Sequence, residues 1–104
     1  MFGEQLKGNL DVLLLGILGQ GPAHGYAIIA RLRDRSGGAF DLPEGTVYPA
    51  LHRLEKQRLI RSRWAETSGR RRRVYELSGA GADALIERTA EWRSFAAAVG
   101  AVLA

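Results

Sequence analysis

The sequence predicts a winged helix-turn-helix, a mainly α fold of the α+β class, with a long C-terminal dimerisation helix. The chain begins with three segments in which apolar residues recur at three- and four-residue spacing, the period of an amphipathic helix. A strongly basic hairpin follows them, and a last helical segment ends the chain. We therefore expect a winged helix-turn-helix unit over residues 1–78 and a dimerisation helix over residues 79–104.

The first two helices are predicted by their apolar periodicity. The segment EQLKGNLDVLLLGILG has one broad apolar face, and a Gly- and Pro-containing stretch ends it. The segment HGYAIIARLRDRS follows, and its period places Tyr26, Ile29 and Leu32 on the inner face. Beyond it, Phe40 and Leu42 are expected to form a very short strand.

The third helix is predicted over EGTVYPALHRLEKQ, with Val47, Leu51 and Leu54 as its inner stripe. Its other side should carry hydrogen-bond donors, a methyl group and an aromatic edge, which are groups that read base edges in a major groove. The residues expected on this outer surface are Thr46, Tyr48, Pro49, His52, Arg53 and Lys56. An ordinary surface helix would look similar, so the prediction depends on the basic hairpin that follows.

The hairpin carries four consecutive arginines, Arg70, Arg71, Arg72 and Arg73, next to a tip that contains Gly69. From residue 52 to residue 78, nine Lys and Arg residues oppose three Asp and Glu residues. Guanidinium groups bind phosphate oxygens with paired hydrogen bonds, so the hairpin suits a nucleic-acid backbone. Beside a helix that reads a major groove, the expected partner is double-stranded DNA. A solvated loop usually mixes charge signs, and an anionic membrane is disfavoured because no amphipathic helix accompanies the charges.

The final helix is predicted to begin after Ser78, whose side chain can cap it. Leu85, Trp92 and Val99 recur every seven residues, which favours packing against a second copy of the helix. An indole at a symmetric interface can also form a flat wall for an aromatic ligand. The residues expected at this dimer or ligand interface are Leu85, Thr89, Trp92, Ala96 and Val99.

Other classes of function are excluded or disfavoured. The chain has no cysteine, and its two histidines, His24 and His52, lie on different helices without carboxylates at ligand spacing, so we expect no metal and no cofactor. No nucleophile or phosphate-binding motif is present, so we expect no enzyme. The longest apolar run is too short to span a bilayer and the N-terminus lacks a secretory signal, so we expect a soluble cytoplasmic protein.

The motifs LLLGIL…GPAHGYAI, EGTVYPALHRLEKQRLI and GRRRRVYELSGAGADAL resemble the PadR family of bacterial transcriptional repressors over about residues 10–103. They are most similar to its short subgroup with a single C-terminal helix, the multidrug-sensing LmrR type. The resemblance implies a homodimer that represses a promoter at a palindromic operator and is released by a small aromatic or drug-like molecule. It also implies that Trp92 flanks an apolar cavity at the dimer interface.

Two positions depart from the family pattern. Arg58 stands where the family usually has glycine, so the turn after the third helix should be strained or reshaped. Pro43 occupies the usual place of a serine or asparagine cap, for which Asp41 is the expected substitute.

The alternative function is a winged-helix module that binds a protein or RNA without an inducer. Preference for a palindromic duplex over random duplex and single strands discriminates this alternative from the repressor.

Overall fold

The computed structural model describes residues 3–104, so Met1 and Phe2, with which the predicted first unit begins, lie outside the described residues. The described chain contains helices and a small antiparallel sheet in the order of a winged helix-turn-helix, which confirms the predicted fold class. In chain order the elements are α1 (Gly3–Leu18), β1 (Ala23–His24), α2 (Gly25–Arg35), α3 (Glu44–Lys56), β2 (Ile60–Thr67), β3 (Arg70–Leu77) and α4 (Gly79–Leu103).

The core lies where α1, α2 and α3 pack together against one face of the sheet. Its fully buried side chains include Leu14 and Leu15 of α1, Leu51 of α3 and Tyr75 of β3. Leu14 and Leu15 are adjacent in sequence and so point about 100° apart around the helix, yet both are completely inaccessible. The face of α1 is therefore wider than one amphipathic stripe, because α1 has other elements packed on more than one side.

The inner face of α2 differs from the predicted one. Ile28 and Leu32 are buried, Ile29 is half-buried, and the Tyr26 side chain is 59% exposed. The prediction that Tyr26 faces inward is wrong, because residues four apart share a helix face and the inner face is set by Ile28 and Leu32. The neighbouring Glu44 carboxylate raises the pKa of Tyr26, so this ring lies beside the start of α3.

The sheet has the strand order β1–β3–β2, with both pairs antiparallel. Its short third strand is Ala23–His24, which pairs with Tyr75 and Val74 of β3. The expected strand at Phe40 and Leu42 is not formed, because that segment follows a turn and packs half-buried side chains against the core. The free edge of β3 is instead covered by the residues that immediately precede α2.

The turn between β2 and β3 contains two residues, Ser68 and Gly69, and both have positive φ, 53° and 77°. Two positive φ angles in a two-residue turn match the right-handed twist of a hairpin. Gly69 at the tip is confirmed, and both strands extend as far as the two-residue turn. As a result, Thr67 pairs with Arg70, and all four consecutive arginines lie on β3 rather than in a loop.

The turn after α3 has the strain that was expected from the departure of Arg58 from the family pattern. Arg58 adopts φ 62°, a left-handed conformation that favours glycine. The Arg58 amide donates to the Glu55 carbonyl and the Leu59 amide donates to the Leu54 carbonyl, which is the hydrogen-bond pattern of a Schellman C-cap. At the other end of α3, Pro43 is the N-cap and makes no side-chain capping bond, so the expected substitution by Asp41 does not occur.

α4 starts directly on this turn. The Ser78 hydroxyl donates to the Arg58 carbonyl and accepts from the Gly81 amide, which confirms Ser78 as the cap. Gly81 is buried, and a Cβ atom there would lie 1.8 Å from the Leu59 carbonyl oxygen. α4 can therefore approach the turn closely only because residue 81 has no side chain. In total α4 spans 25 residues, a length of about 37 Å.

Candidate nucleic-acid interface

α3 presents a buried face and an exposed face, because residues three and four apart align along the helix. The buried face consists of Val47, Ala50, Leu51 and Leu54. On the opposite side, the outward stripe consists of Gly45, Pro49, His52 and Lys56, all of which are exposed. Of the residues predicted to read DNA, Pro49, His52 and Lys56 therefore lie at the centre of the accessible surface.

Thr46 and Arg53 lie on the flank of α3 that faces α1. Both are exposed, and the Arg53 Nη2 group donates to the Asp11 Oδ1 atom at 2.5 Å. The side chains of this pair are 50% and 29% exposed. Arg53 is thus accessible to a ligand, but it already has an anionic partner within the chain.

Tyr48 lies on the opposite flank of α3, against the first residue of α2. Its ring packs on Gly25 so closely that a Cβ atom at residue 25 would lie 2.1 Å from the Tyr48 hydroxyl oxygen. The side chain is half-buried, and burial raises the pKa of Tyr48. The expectation that Tyr48 stands on the outer surface is therefore wrong for most of its ring.

We call the β2–β3 hairpin, residues 60–77, the wing. Adjacent residues of a strand point to opposite faces of the sheet, so the four arginines divide into two pairs. Arg71 and Arg73 share one face, and Arg70 and Arg72 share the other. No single face of the wing therefore carries the whole run.

Trp64 of β2 is a residue of the wing that the site prediction missed. It pairs with Arg73 in the strand register and is 57% exposed. The guanidinium carbons of Arg71 and Arg73 lie 5.1 Å and 5.4 Å from the centre of its ring, within the range of cation–π attraction. The sequence signal that could have identified Trp64 was an aromatic residue in the strand that leads into the turn. The two-residue turn at Ser68 and Gly69 sets the register that places this residue opposite Arg73.

A short hydrogen-bond chain connects this face of the wing to α3. The Arg73 Nε group donates to the Ser62 hydroxyl at 2.9 Å, and that hydroxyl donates to the Glu55 carboxylate at 2.5 Å. The Arg73 Nη2 atom also lies 3.9 Å from the Glu55 Oε2 atom of that carboxylate. The wing is therefore held beside the last turn of α3 through Glu55.

The other face of the wing adjoins the start of α2. His24 pairs with Val74 across the strands, and its Nδ1 atom accepts a hydrogen bond from the Ala27 amide at the start of α2. Burial lowers the pKa of His24, and the positive charges of Arg72 and Arg31 lower it further. The positive charges of Arg72 and Arg31 therefore act on the residue that caps α2.

The surface from the outward stripe of α3 to the wing carries an excess of positive charge. Within residues 3–104, no three His, Cys, Asp or Glu residues cluster at ligating positions. None of the helices in that same range combines the length and the apolarity needed to cross a bilayer.

The residues predicted at a dimer or ligand interface share one face of α4. Leu85 and Thr89 are half-buried at the α1 end of that face, and Ala96 is half-buried farther along. Trp92 is 48% exposed and Val99 is 38% exposed. The stripe also contains two exposed residues that the seven-residue repeat missed, Phe95 and Val102.

Two open grooves lie beside α1 and meet at Trp92 and Phe95. One, of about 950 Å³, is lined by α1, the end of α2 and the apolar stripe of α4. The other, of about 860 Å³, lies between α1, α3 and α4 and includes Arg53 and Asp11 in its lining. The α4 stripe is thus accessible along much of its length.

Comparison with known proteins places this arrangement in a described family. The sequence model of the "Transcriptional regulator PadR-like family" matches residues 14–87. A crystal structure of a PadR family transcription regulator from Clostridium difficile is 36% identical, with a TM-score of 0.83, and the match covers 92% of this chain and 99% of that chain.

Two curated relatives are also similar. Uncharacterized protein X of Lysinibacillus sphaericus is 30% identical over 88 residues, which are 84% of this chain and 81% of that protein. Transcriptional regulator YqjI of Escherichia coli is 31% identical over 85 residues. Those residues are 82% of this chain but only 36% of YqjI, so the chain spans about a third of that protein.

Proposed function

Because the chain belongs to the PadR-like family of transcriptional regulators, we propose that it is a homodimeric repressor that binds a palindromic DNA operator. The observation that carries the proposal is the exposed stripe of α3 beside a wing with four arginines. Membership of a family of transcriptional regulators also confirms the prediction that the chain is not an enzyme.

In the proposed complex, α3 enters the major groove of DNA. Its outward stripe offers the His52 imidazole and the Lys56 ammonium as donors, with Pro49 as an apolar contact. Thr46 and Arg53 reach the groove from the α1 flank, and the half-buried Tyr48 contributes its edge from the α2 flank. Base contacts by this helix supply the sequence preference.

The wing supplies phosphate contacts beside the helix. Arg70 to Arg73 are charged at all relevant pH values, and three of them are well exposed, with Arg72 half-buried. Such contacts orient the protein on the duplex without reading its sequence. The hydrogen-bond chain through Glu55 keeps this source of charge at a constant position relative to α3.

The proposed dimer forms through α4. Phe95 and Val102 are 68% and 84% exposed, and together with Trp92 and Val99 they form an apolar surface that the described chain leaves open to solvent. A second α4 would bury this surface, and the two-fold symmetry of such a dimer matches a palindromic operator. We accordingly assign residues 1–78 to DNA binding and residues 79–104 to dimerisation.

The dimer is tested by light scattering. The full chain is expected at twice its monomer mass, and a chain truncated after Gly79 is expected to aggregate or unfold, because it exposes core residues that α4 covers. A monomeric full chain, or a well-folded monomeric truncation, contradicts this part of the proposal.

DNA binding is tested by footprinting the purified chain on its promoter and then measuring affinity by fluorescence anisotropy. The footprinted palindrome should bind more tightly than random duplex, single-stranded DNA and RNA at matched salt. The variant with Arg70 to Arg73 changed to alanine should lose about 3.6 from the salt slope if each wing of a dimer binds about two phosphates. Preference for RNA, or an unchanged slope, contradicts the proposal, and the first outcome supports the RNA-binding alternative.

We further propose that a small aromatic or drug-like molecule releases the repressor, as in the LmrR-like subgroup with a single C-terminal helix. Trp92 lies at the junction of two open grooves and has Ala96 one turn later on the same face. In the Trp64→Phe variant, a bound planar cation is expected to quench Trp92 emission and to lower DNA affinity. Unchanged emission with a panel of such molecules, in a dimer that still binds DNA, contradicts an effector site at Trp92.

A further inference from the structure

Trp64 is a large exposed aromatic residue of the wing. It lies away from the end of the sheet that packs against the core. Its ring is contacted by Arg71 and Arg73 at 5.1 Å and 5.4 Å. We propose that Trp64 is a positioning residue, which holds these two guanidinium groups in place for contact with DNA phosphates. This inference rests on the proposed function, because it concerns how the wing meets the same duplex.

Stacking on an indole has a specific consequence for a guanidinium group. The face of the ring attracts the cation, and the N–H donors, which lie in the guanidinium plane, remain directed away from the ring. A flexible side chain that becomes ordered only on binding loses conformational entropy, and this loss lowers the affinity. A side chain that is already ordered avoids the loss. Trp64 therefore improves phosphate binding without contacting DNA itself.

The two arginines depend on Trp64 to different degrees. Arg73 is also held by the Ser62 hydroxyl and lies near Glu55. Within residues 3–104, no side-chain hydrogen bond or ion pair holds the Arg71 guanidinium, so the ring is the contact that restrains it. Arg71 should therefore be the residue whose contribution is most sensitive to a change at Trp64.

The opposite face of the wing provides an internal control. Arg70 and Arg72 lie on the face that does not carry Trp64, and their register partners are Thr67 and Ala65. If Trp64 acts by positioning, its effect on DNA binding must disappear when Arg71 and Arg73 are removed. It must persist when Arg70 and Arg72 are removed.

The experiment is a set of double-mutant cycles measured as affinity for duplex DNA at constant salt. Trp64→Leu keeps an apolar side chain but removes the ring, and it is expected to weaken binding by about tenfold in a dimer with two wings. Trp64→Phe is expected to recover most of this loss. In the Arg71→Ala/Arg73→Ala background Trp64→Leu should have less than about a twofold effect, and in the Arg70→Ala/Arg72→Ala background it should keep its full effect.

Three results would overturn the inference. They are wild-type affinity in Trp64→Leu, no recovery in Trp64→Phe, and an equal loss from Trp64→Leu in both arginine backgrounds. The last result would show that Trp64 affects DNA binding independently of Arg71 and Arg73. If the wild-type chain binds the duplex in these assays, and its affinity falls when the salt concentration is then raised, the proposed function stands and only the role of Trp64 fails; without such binding both fail.

A measurement without DNA keeps the inference testable if Trp64→Leu does not fold. In the Trp92→Phe variant, Trp64 is the emitting tryptophan. Arg71→Ala/Arg73→Ala should shift its emission, because the ring loses both cations, whereas Arg70→Ala/Arg72→Ala should not. Equal emission in the two double variants would show that the stack does not exist in solution.

Discussion

Arg53 of α3 forms an ion pair with Asp11 of α1, and this pair joins the proposed DNA-reading helix to the helix that lines both grooves. An exposed pair of this kind contributes at most about 1 kcal/mol to stability. Its importance is geometric, because it keeps the Arg53 guanidinium on the α1 flank of α3. The centre of the exposed surface is left to the stripe that contains His52.

We predict that His52→Ala reduces the discrimination between the operator and random duplex more than Arg53→Ala does. A side chain that reads a base contributes roughly 1–3 kcal/mol of discrimination, whereas a cation that already has an intramolecular partner has less to lose. The measurement is the ratio of operator to random-duplex affinity for each variant. A larger loss of discrimination in Arg53→Ala would show that Arg53 leaves Asp11 to read a base.

We predict that Gly81→Ala destabilises the chain by about 2 kcal/mol or more, because the new methyl group meets the Leu59 carbonyl and α4 must shift. Gly79→Ala is the matched control, since the space around residue 79 is open and alanine favours a helix. Chemical denaturation of both variants checks the prediction. Similar free energies of unfolding for the two would mean that α4 does not sit on this turn.

We predict that Arg58→Gly stabilises the chain by about 1 kcal/mol, because glycine adopts the left-handed φ of 62° without the cost that a side chain adds. Lys56→Gly, two residues earlier at the last residue of α3, should instead destabilise by up to about 1 kcal/mol. Opposite signs in thermal or chemical denaturation support the strained turn. A loss of stability in Arg58→Gly would show that the Arg58 side chain makes a contact that stabilises the chain by more than the strain of the turn costs.

We predict a loss of stability on acidification that depends on His24. Its pKa is lowered below the ordinary value of 6.5 by burial and by Arg72 and Arg31, so the unfolded chain binds this proton more readily than the folded chain. The stabilisation is therefore complete above about pH 6.5 and is lost as the pH falls through the lower pKa of the folded state. Protonation of Nδ1 also removes the acceptor that caps α2.

The control for this pH dependence is His24→Asn, which keeps a side-chain cap but does not titrate. The difference in the free energy of unfolding between wild type and His24→Asn is measured from about pH 8 to about pH 5. Wild type should lose stability relative to the variant as the pH falls. A difference that is constant over this range would contradict the role of His24.

Much of the fold follows from local sequence patterns. Three helices and α4 were predictable because apolar side chains recur with the helical period, and the hairpin was predictable from β-branched and aromatic residues around Gly69. The Ser78 cap was predictable for the same reason, because it depends on a few neighbouring residues, whereas the strained turn at Arg58 was expected from the family pattern, which usually has glycine there. Local patterns thus determined the order and type of these elements.

The tertiary structure decided how those elements face each other. Ala23–His24 is too short for a periodic signal and became a strand only because β3 offered a free edge. Tyr48 is half-buried because its ring lies over Gly25, a residue that is 23 positions earlier in the chain and on another helix. Such contacts depend on which helix occupies each flank of α3, and helical periodicity contains no information about neighbours that are distant in sequence.

The division of the four arginines between two faces was also a tertiary outcome. Their sequence shows a single block of charge, but the pairing of Thr67 with Arg70 brings Arg73 opposite Trp64 and leaves Arg72 on the other side. The turn that accompanies this register has a positive φ at Ser68. This angle is uncommon for a non-glycine residue, and the paired strands on both sides of the turn hold Ser68 there. The amount of charge was therefore a property of the sequence, whereas its direction was set by strand pairing.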